Sequence, residues 1–202
     1  MKSYLTFKSI YYPNTESISI KIKESEIIEL MSSDKTREKG VSMMMDAYQS
    51  RLYWHIRRFV VDHDLSQDIL QDTFIKAYQN FHQFKQESQL YTWLYRIATN
   101  ESLQQLNKLK KMQKSDEEAT GHLQNLVAEN VAPDADEIQV LLQKAIQSLP
   151  EKQKLVFNMR YYEDLPYEDI SKILDMSVGT LKTNYHYAKQ KVEDYIKQNY
   201  TE

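Results

Sequence analysis

The 202-residue sequence has no cysteine, three glycines and four prolines. The missing cysteine excludes disulfide frameworks, thiolate zinc sites and thiol nucleophiles, and suits a reducing compartment. So little glycine and proline leaves few of the turns that a strand-rich fold requires, and the chain is read as all-α. Apolar runs are short as well. None approaches the roughly 20 residues that span a bilayer, and the first residues lack a basic stretch followed by an apolar core and a small-residue cleavage site. The expected location is the cytoplasm, with no membrane insertion. There is also no glycine loop to cradle phosphate, no nucleophile in a recognisable setting and no metal-ligand spacing among the five histidines. The expectation is accordingly no enzyme, no cofactor and no metal.

What the chain does have is helical patterning in two blocks, with 41% apolar residues to fill cores and a net charge of -3. We expect two small helical domains joined by a flexible acidic linker. Residues 1–24 form an extension. Within it Ser17 to Glu24 (SISIKIKE) alternate apolar and polar with period two, as on a half-buried strand, the other reading being a disordered tail.

Residues 25–111 make the first helical unit. Ile27, Ile28 and Met31 are followed at helical spacing by Met44, Met45, Tyr48, Leu52, Ile56 and Phe59, a stripe read as core. Ile69, Leu70, Thr73, Phe74 and Tyr78 give a second helix and Trp93, Leu94, Ile97 and Ala98 a third, with a loop around HQFKQESQ between them. Residues 112–136 are the linker, carrying Asp116, Glu117, Glu118, Glu129, Asp134 and Asp136 and few large apolar side chains. The second unit, 137–202, resumes with Ile138, Leu141, Leu142, Ala145 and Leu149 and is interrupted by Pro150.

Near the end, YEDISKILDMSVGTLKTNYHYAKQKV reads as helix, turn and helix. Ile170, Ile173 and Leu174 give the first helix an apolar face, Asp175, Met176 and Ser177 form the turn, and Ser177 is positioned to cap the second helix. On that helix Val178, Leu181, Tyr185, Ala188 and Val192 point inward, while Thr180, Thr183, His186, Tyr187 and Gln190 point outward. The outward groups can hydrogen-bond base edges, stack or touch a thymine methyl, and Lys182, Lys189 and Lys191 can reach phosphates. A solvent-exposed amphipathic helix would show the same periodicity, but the tight turn and the helix before it favour a DNA-reading element.

Leu149 to Val192 resembles the C-terminal domain of bacterial RNA polymerase sigma factors of the sigma-70 family, specifically the extracytoplasmic-function group. In that family the domain reads the promoter element about 35 base pairs upstream of the start. The resemblance places Lys182, Thr183, His186 and Tyr187 at the contacting positions, and the outward-facing Thr180 and Lys189 are expected at the duplex beside them. The chain departs from the family at Asn184 and Tyr187, where arginine is usual, and at the turn residue Asp175, where glycine is usual. Fewer arginines imply weaker phosphate binding and an altered base preference, and Asp175 is expected to adopt the left-handed conformation in place of glycine.

The resemblance extends to the first unit. Asp68 to Tyr78 (DILQDTFIKAY) is similar to the family's polymerase-docking helix, which implies that Asp68, Gln71, Asp72, Phe74 and Ile75 meet a coiled coil of the largest subunit. Asp68, Gln71, Asp72 and Ile75 share one helical face, and its acidic groups suit a basic partner. The nearby Asp62, Asp64 and Ser66 mimic the opening of a calcium loop, but the sixth position is Gln67 and the twelfth Thr73, so calcium is rejected. Phe81 to Lys111 resembles the part of the family that captures the element about 10 base pairs upstream. This implies that Phe84, Lys85, Gln86 and Ser88 wall a pocket for an unstacked base and that Asn100 contacts its edge. The cluster Lys108, Lys110, Lys111 and Lys114 at the end of this helix can track phosphates, and such a cluster also stabilises the helix dipole. Tyr91, Trp93, Leu94 and Tyr95 are read as core.

The resemblance covers about residues 26 to 111 and 137 to 198. It implies a factor that binds core RNA polymerase, through that coiled coil and the flap, and directs it to promoter DNA, with an anti-sigma factor as a further expected partner. It is then cytoplasmic, and nucleoid-associated when on the polymerase. The linker carboxylates are expected to lie in the path of the emerging RNA. The competing reading is a stand-alone helix-turn-helix regulator that binds a duplex operator.

Overall fold

In the computed structural model the described residues are 17–60, 62–113 and 137–200. The first unit comprises α1 (Ser17–Met31), α2 (Arg37–Val60), α3 (His63–Gln79), a short 3-10 turn (Phe81–Gln83) and α4 (Leu90–Gln113). The second comprises α5 (Glu137–Gln147), α6 (Glu151–Tyr161), α7 (Tyr167–Leu174) and α8 (Val178–Asn199). No strand occurs among the described residues, and the fold is all-α. The linker carboxylates, Lys114 and residues 1–16 lie outside the described residues; α4 runs through Met112 to Gln113.

One expectation is corrected. Ser17 to Glu24 are not a strand but the first half of α1, and the boundary drawn at residue 24 falls inside a helix. A strand is stable only with a neighbour to complete its ladder, whereas a helix satisfies its own backbone, and this one continues to Ile27 and Met31, both fully buried. At its end Thr36 donates its hydroxyl to the Leu30 carbonyl at 2.9 Å and turns the chain into α2. Gly40, in the first turn of α2, permits the close crossing: a Cβ there would sit 2.9 Å from both the Met31 nitrogen and its Cγ.

The remaining helices pack by the stripes read from the sequence. Met44, Tyr48, Leu52, Ile56 and Phe59 of α2 meet Ile69, Phe74 and Ala77 of α3 and Leu90, Trp93, Leu94, Tyr95 and Ala98 of α4. Met45, counted with that stripe, lies outside the core at 39% exposure. The two units are in contact: Leu155, Val156 and Met159 of α6, Leu165 of the loop that follows it, Ile170 and Ile173 of α7, and Leu181 of α8 join the same apolar cluster. A second cluster, with Ala145, Ile146, Leu149, Phe157, Ala188 and Val192, holds α5, α6 and α8 together.

Caps follow the local sequence. Asp62 accepts the Leu65 N–H at 2.8 Å and starts α3, which gives the first acid of the calcium-like run a structural role. Ser177 accepts the Thr180 N–H at 3.1 Å and starts α8. Asp175 ends α7 in the left-handed region, at φ 51° and ψ 49°, and Ser171 closes the turn by donating to the Met176 carbonyl at 2.6 Å.

Candidate functional site

Three surfaces and one internal cluster carry the chemistry. The first surface is a groove of about 940 Å³ between α2 and α3. Asp68 and Gln71 are exposed on its α3 side, Asp72 is exposed on the same helix but does not line the groove, and the apolar contribution comes from Ile75 at 45%, Tyr78 at 41% and Met45 at 39% exposure. Phe74 is buried and contributes only the floor. Along the rim the Tyr53 hydroxyl meets His63 Nδ1 at 2.7 Å, and Gln67 lies 3.1 Å from His63 Nε2. The α2 wall (Val41, Met45, Gln49, Tyr53) escaped the sequence reading. Its only prior signal was that Met45 stands beside Met44, and two adjacent helical positions cannot both face one core.

The second surface is the loop before α4 and the helix that follows. Phe84 is half-buried, its ring 5.4 Å from Trp93 and 5.8 Å from Phe81, so it anchors the loop to the core. Lys85 and Gln86 are exposed and Ser88 partly so. Gln86 holds φ at 58°, a left-handed conformation uncommon for a residue with a side chain. Trp93, Leu94 and Tyr95 are buried, as the core reading expects, and Tyr91 is half-buried. Asn100 is exposed, about 15 Å along α4 from Leu90 at 1.5 Å per residue. It belongs to an exposed polar stripe of Arg96, Asn100, Gln104, Asn107, Lys108 and Lys111. The structure therefore puts Asn100 with the two lysines on one helical face and leaves the loop residues at the start of that helix. Arg96, Gln104 and Asn107 are additions that the spacing of four, four and three could have revealed.

The third surface is α8. Thr180, Lys182, Thr183, His186, Tyr187 and Lys189 are all exposed, and Leu181, Ala188 and Val192 are buried, which reproduces the two faces read from the sequence. Thr183 donates its hydroxyl to the Gly179 carbonyl at 3.1 Å and Asn184 its amide to the Thr180 carbonyl at 2.9 Å. The Lys182 ammonium lies 5.8 Å from the centre of the Tyr167 ring, and the His186 and Tyr187 rings meet edge to face at 5.6 Å. Lys189 pairs with Glu193 at 3.6 Å, both well exposed, so the pair is weak and leaves the ammonium available.

The internal cluster joins the units and was not legible from the sequence. The Glu163 carboxylate, fully buried, accepts from Arg58 Nη1 at 2.7 Å and from the Tyr95 hydroxyl at 2.6 Å, and faces His55 Nδ1 at 3.5 Å. Thr99 gives its only hydroxyl proton to the Tyr95 carbonyl at 2.7 Å, so at 2.9 Å it must accept from His55 Nε2–H. Burial, the largest influence, pushes the Glu163 pKa up; the His55 contact, the Arg58 charge and the Tyr95 hydroxyl together outweigh it and hold the group below the usual glutamate range. Nearby, Tyr91 donates its hydroxyl to Asp169, and its own pKa is pushed up to about 12, first by burial and then by that bond. Lys172 of α7 donates to the Glu87 carbonyl of the loop at 3.2 Å.

Comparison with known proteins agrees with this layout. The family described as Sigma-70 region 2 matches residues 44–112, and that described as Sigma-70, region 4 matches residues 139–192. The chain is 30% identical over 168 residues to the ECF RNA polymerase sigma-E factor of Haemophilus influenzae, covering 79% of this chain and 88% of that protein. It is also 30% identical over 163 residues to the ECF RNA polymerase sigma factor SigW of Bacillus subtilis, covering 76% and 87%. Among solved structures, the sigma factor RpoE in complex with the anti-sigma factor NepR from Bartonella quintana superposes with a TM-score of 0.64 at 20% identity, covering 79% of this chain and 98% of that one. CnrH in complex with the cytosolic domain of CnrY gives a TM-score of 0.64 at 14% identity, covering 88% and 99%. At those identities the structural likeness speaks to the fold.

Proposed function

The chain belongs to the extracytoplasmic-function sigma factors of the sigma-70 family, and from that premise we propose how its surfaces divide the work. It binds core RNA polymerase and directs it to promoters to begin DNA-templated transcription. The groove between α2 and α3 takes the coiled coil of the polymerase largest subunit. Ile75, Tyr78 and Met45 give an apolar centre, and Asp68 and Asp72 give charge that steers a basic partner. The second unit is held by the polymerase flap and turns the outward face of α8 into the major groove of the upstream element.

The loop of Phe84, Lys85, Gln86 and Ser88 with Asn100 receives an unstacked base of the downstream element, and the stripe ending in Lys108 and Lys111 follows the strand's phosphates. Bond making belongs to the polymerase, and the chain itself works in the cytoplasm, on the nucleoid when in the holoenzyme. No described helix is long and apolar enough to cross a membrane. The fold it shares with the sigma factor RpoE, solved in complex with the anti-sigma factor NepR, supports an anti-sigma factor as a further partner.

The observation that supports this reading is the presence in one chain of an open groove between α2 and α3 lined by exposed apolar and acidic side chains and of two separate exposed polar faces, on α4 and α8. A stand-alone operator-binding regulator needs only α7 and α8, and the groove would then have no purpose. The test is binding of labelled promoter by the purified chain with and without core polymerase. Specific binding that requires core is expected; tight specific binding by the chain alone would support the regulator instead.

A further inference from the structure

The contacts of Glu24 tie a helix outside the matched region to the strand-capturing loop. Glu24 lies on α1, ahead of residues 44–112 where the family match begins. Its carboxylate nevertheless reaches the start of α4: Oε1 accepts the Leu90 N–H at 2.6 Å, and Oε2 is 3.4 Å from the Tyr48 hydroxyl. The first N–H groups of a helix have no partner inside the helix and are usually capped by the side chain of the preceding residue. Here that residue is Gln89, whose carbonyl accepts the Trp93 N–H at 3.3 Å. The cap on Leu90 comes instead from a residue 66 positions earlier. An anion at this end also meets the positive pole of the helix dipole.

Leu90 directly follows the loop of residues 84–89. That loop contains the left-handed Gln86 and is held from outside by two polar tethers, Glu24 on Leu90 N–H and Lys172 on the Glu87 carbonyl. Lys172 belongs to the second unit, so its grip ends if the units separate; Glu24 belongs to the first and stays. Tyr48 lies beneath the carboxylate and makes only the longer contact with it: it is 1% exposed, and its pKa is raised first by burial, then by the charge of Glu24 and by their hydrogen bond.

We propose that Glu24 is a positioning residue for promoter opening: its carboxylate caps α4 and so fixes the angle at which Phe84 to Ser88 present themselves to the unpaired strand. This rests on the reading of that loop as the strand-capturing element. The expected signature is selective. With the full chain on core polymerase, Glu24→Ala should lower the preference for a single-stranded oligonucleotide with the promoter's downstream sequence over single-base variants by about tenfold, the scale of a lost cap. Affinity for core should stay within about twofold. Glu24→Gln keeps an oxygen that can accept from Leu90 and should recover most of the preference, and Tyr48→Phe should cost little.

A general packing role would instead lower core affinity and base preference in parallel and leave the Gln variant no better than Ala; that result overturns the proposal. So does an unchanged preference in Glu24→Ala while Phe84→Ala abolishes it, an outcome that spares the loop reading. If Phe84→Ala and Asn100→Ala also leave the preference unchanged, the loop reading fails and this inference falls with it.

Discussion

Single residues here show which constraints are local and which are not. The turn at Asp175 and the cap at Ser177 were legible because both act on neighbours a few positions away, and the structure finds them as read. Glu163 was not legible, since its partners Arg58 and His55 lie more than 100 positions earlier and nothing in the stretch around it marks it for burial. Its pKa sets the sign of a pH effect. Because the folded value is depressed, its contribution is fully present above the ordinary glutamate range and is lost as pH falls through the folded value. Arg58→Ala leaves the burial and removes the guanidinium, so Glu163 takes up its proton at higher pH than in the parent; the variant should be less stable in urea at neutral pH, and the gap to the parent should narrow as pH falls. Gly40 gives a steric prediction: Gly40→Ala places a methyl 2.9 Å from the Met31 backbone nitrogen. It should cost about 1–3 kcal/mol in urea unfolding, the range for overpacking; an unchanged midpoint would mean that α1 shifts freely against α2.

At the level of elements, helix existence followed from periodicity, and the misses came where periodicity is ambiguous. Ser17 to Glu24 alternate like a strand, but continuity with Ile27 and Met31 makes them helix. The exposure of Asp68, Gln71, Asp72 and Ile75 on α3 follows their spacing, yet half of the groove belongs to α2, and no single-helix pattern announces a surface that two helices build together. Exposure separates this surface from the core. Ile75→Asp, at a residue 45% exposed, should leave the unfolding midpoint within about 0.5 kcal/mol of the parent. It should weaken core polymerase binding at least tenfold if the residue anchors the interface. Titration of fluorescent core polymerase measures the second effect, and equal affinities would remove Ile75 from the contact.

For the whole molecule, the units share one apolar cluster closed by the Glu163 group, and that arrangement has a geometric consequence. A compact chain of this length has a radius of gyration of about 17 Å. Promoter elements about 25 base pairs apart on duplex DNA are separated by about 85 Å at 3.4 Å per pair. On the proposed reading the α4 and α8 faces engage DNA together only after the units part, and the distance between fluorophores on α4 and α8 should increase on binding core and promoter. An acidic chain suits this order of events, since a net charge of -3 favours a basic polymerase surface over free duplex. The central claim is that the chain reaches promoters by docking the α2 and α3 groove on core polymerase. Its most direct test is core affinity of the double variant Asp68→Lys, Asp72→Lys, measured together with the positions of transcript starts. The account predicts loss of core binding and of starts at this factor's promoters, with the fold intact by circular dichroism; unchanged affinity and unchanged starts would contradict it.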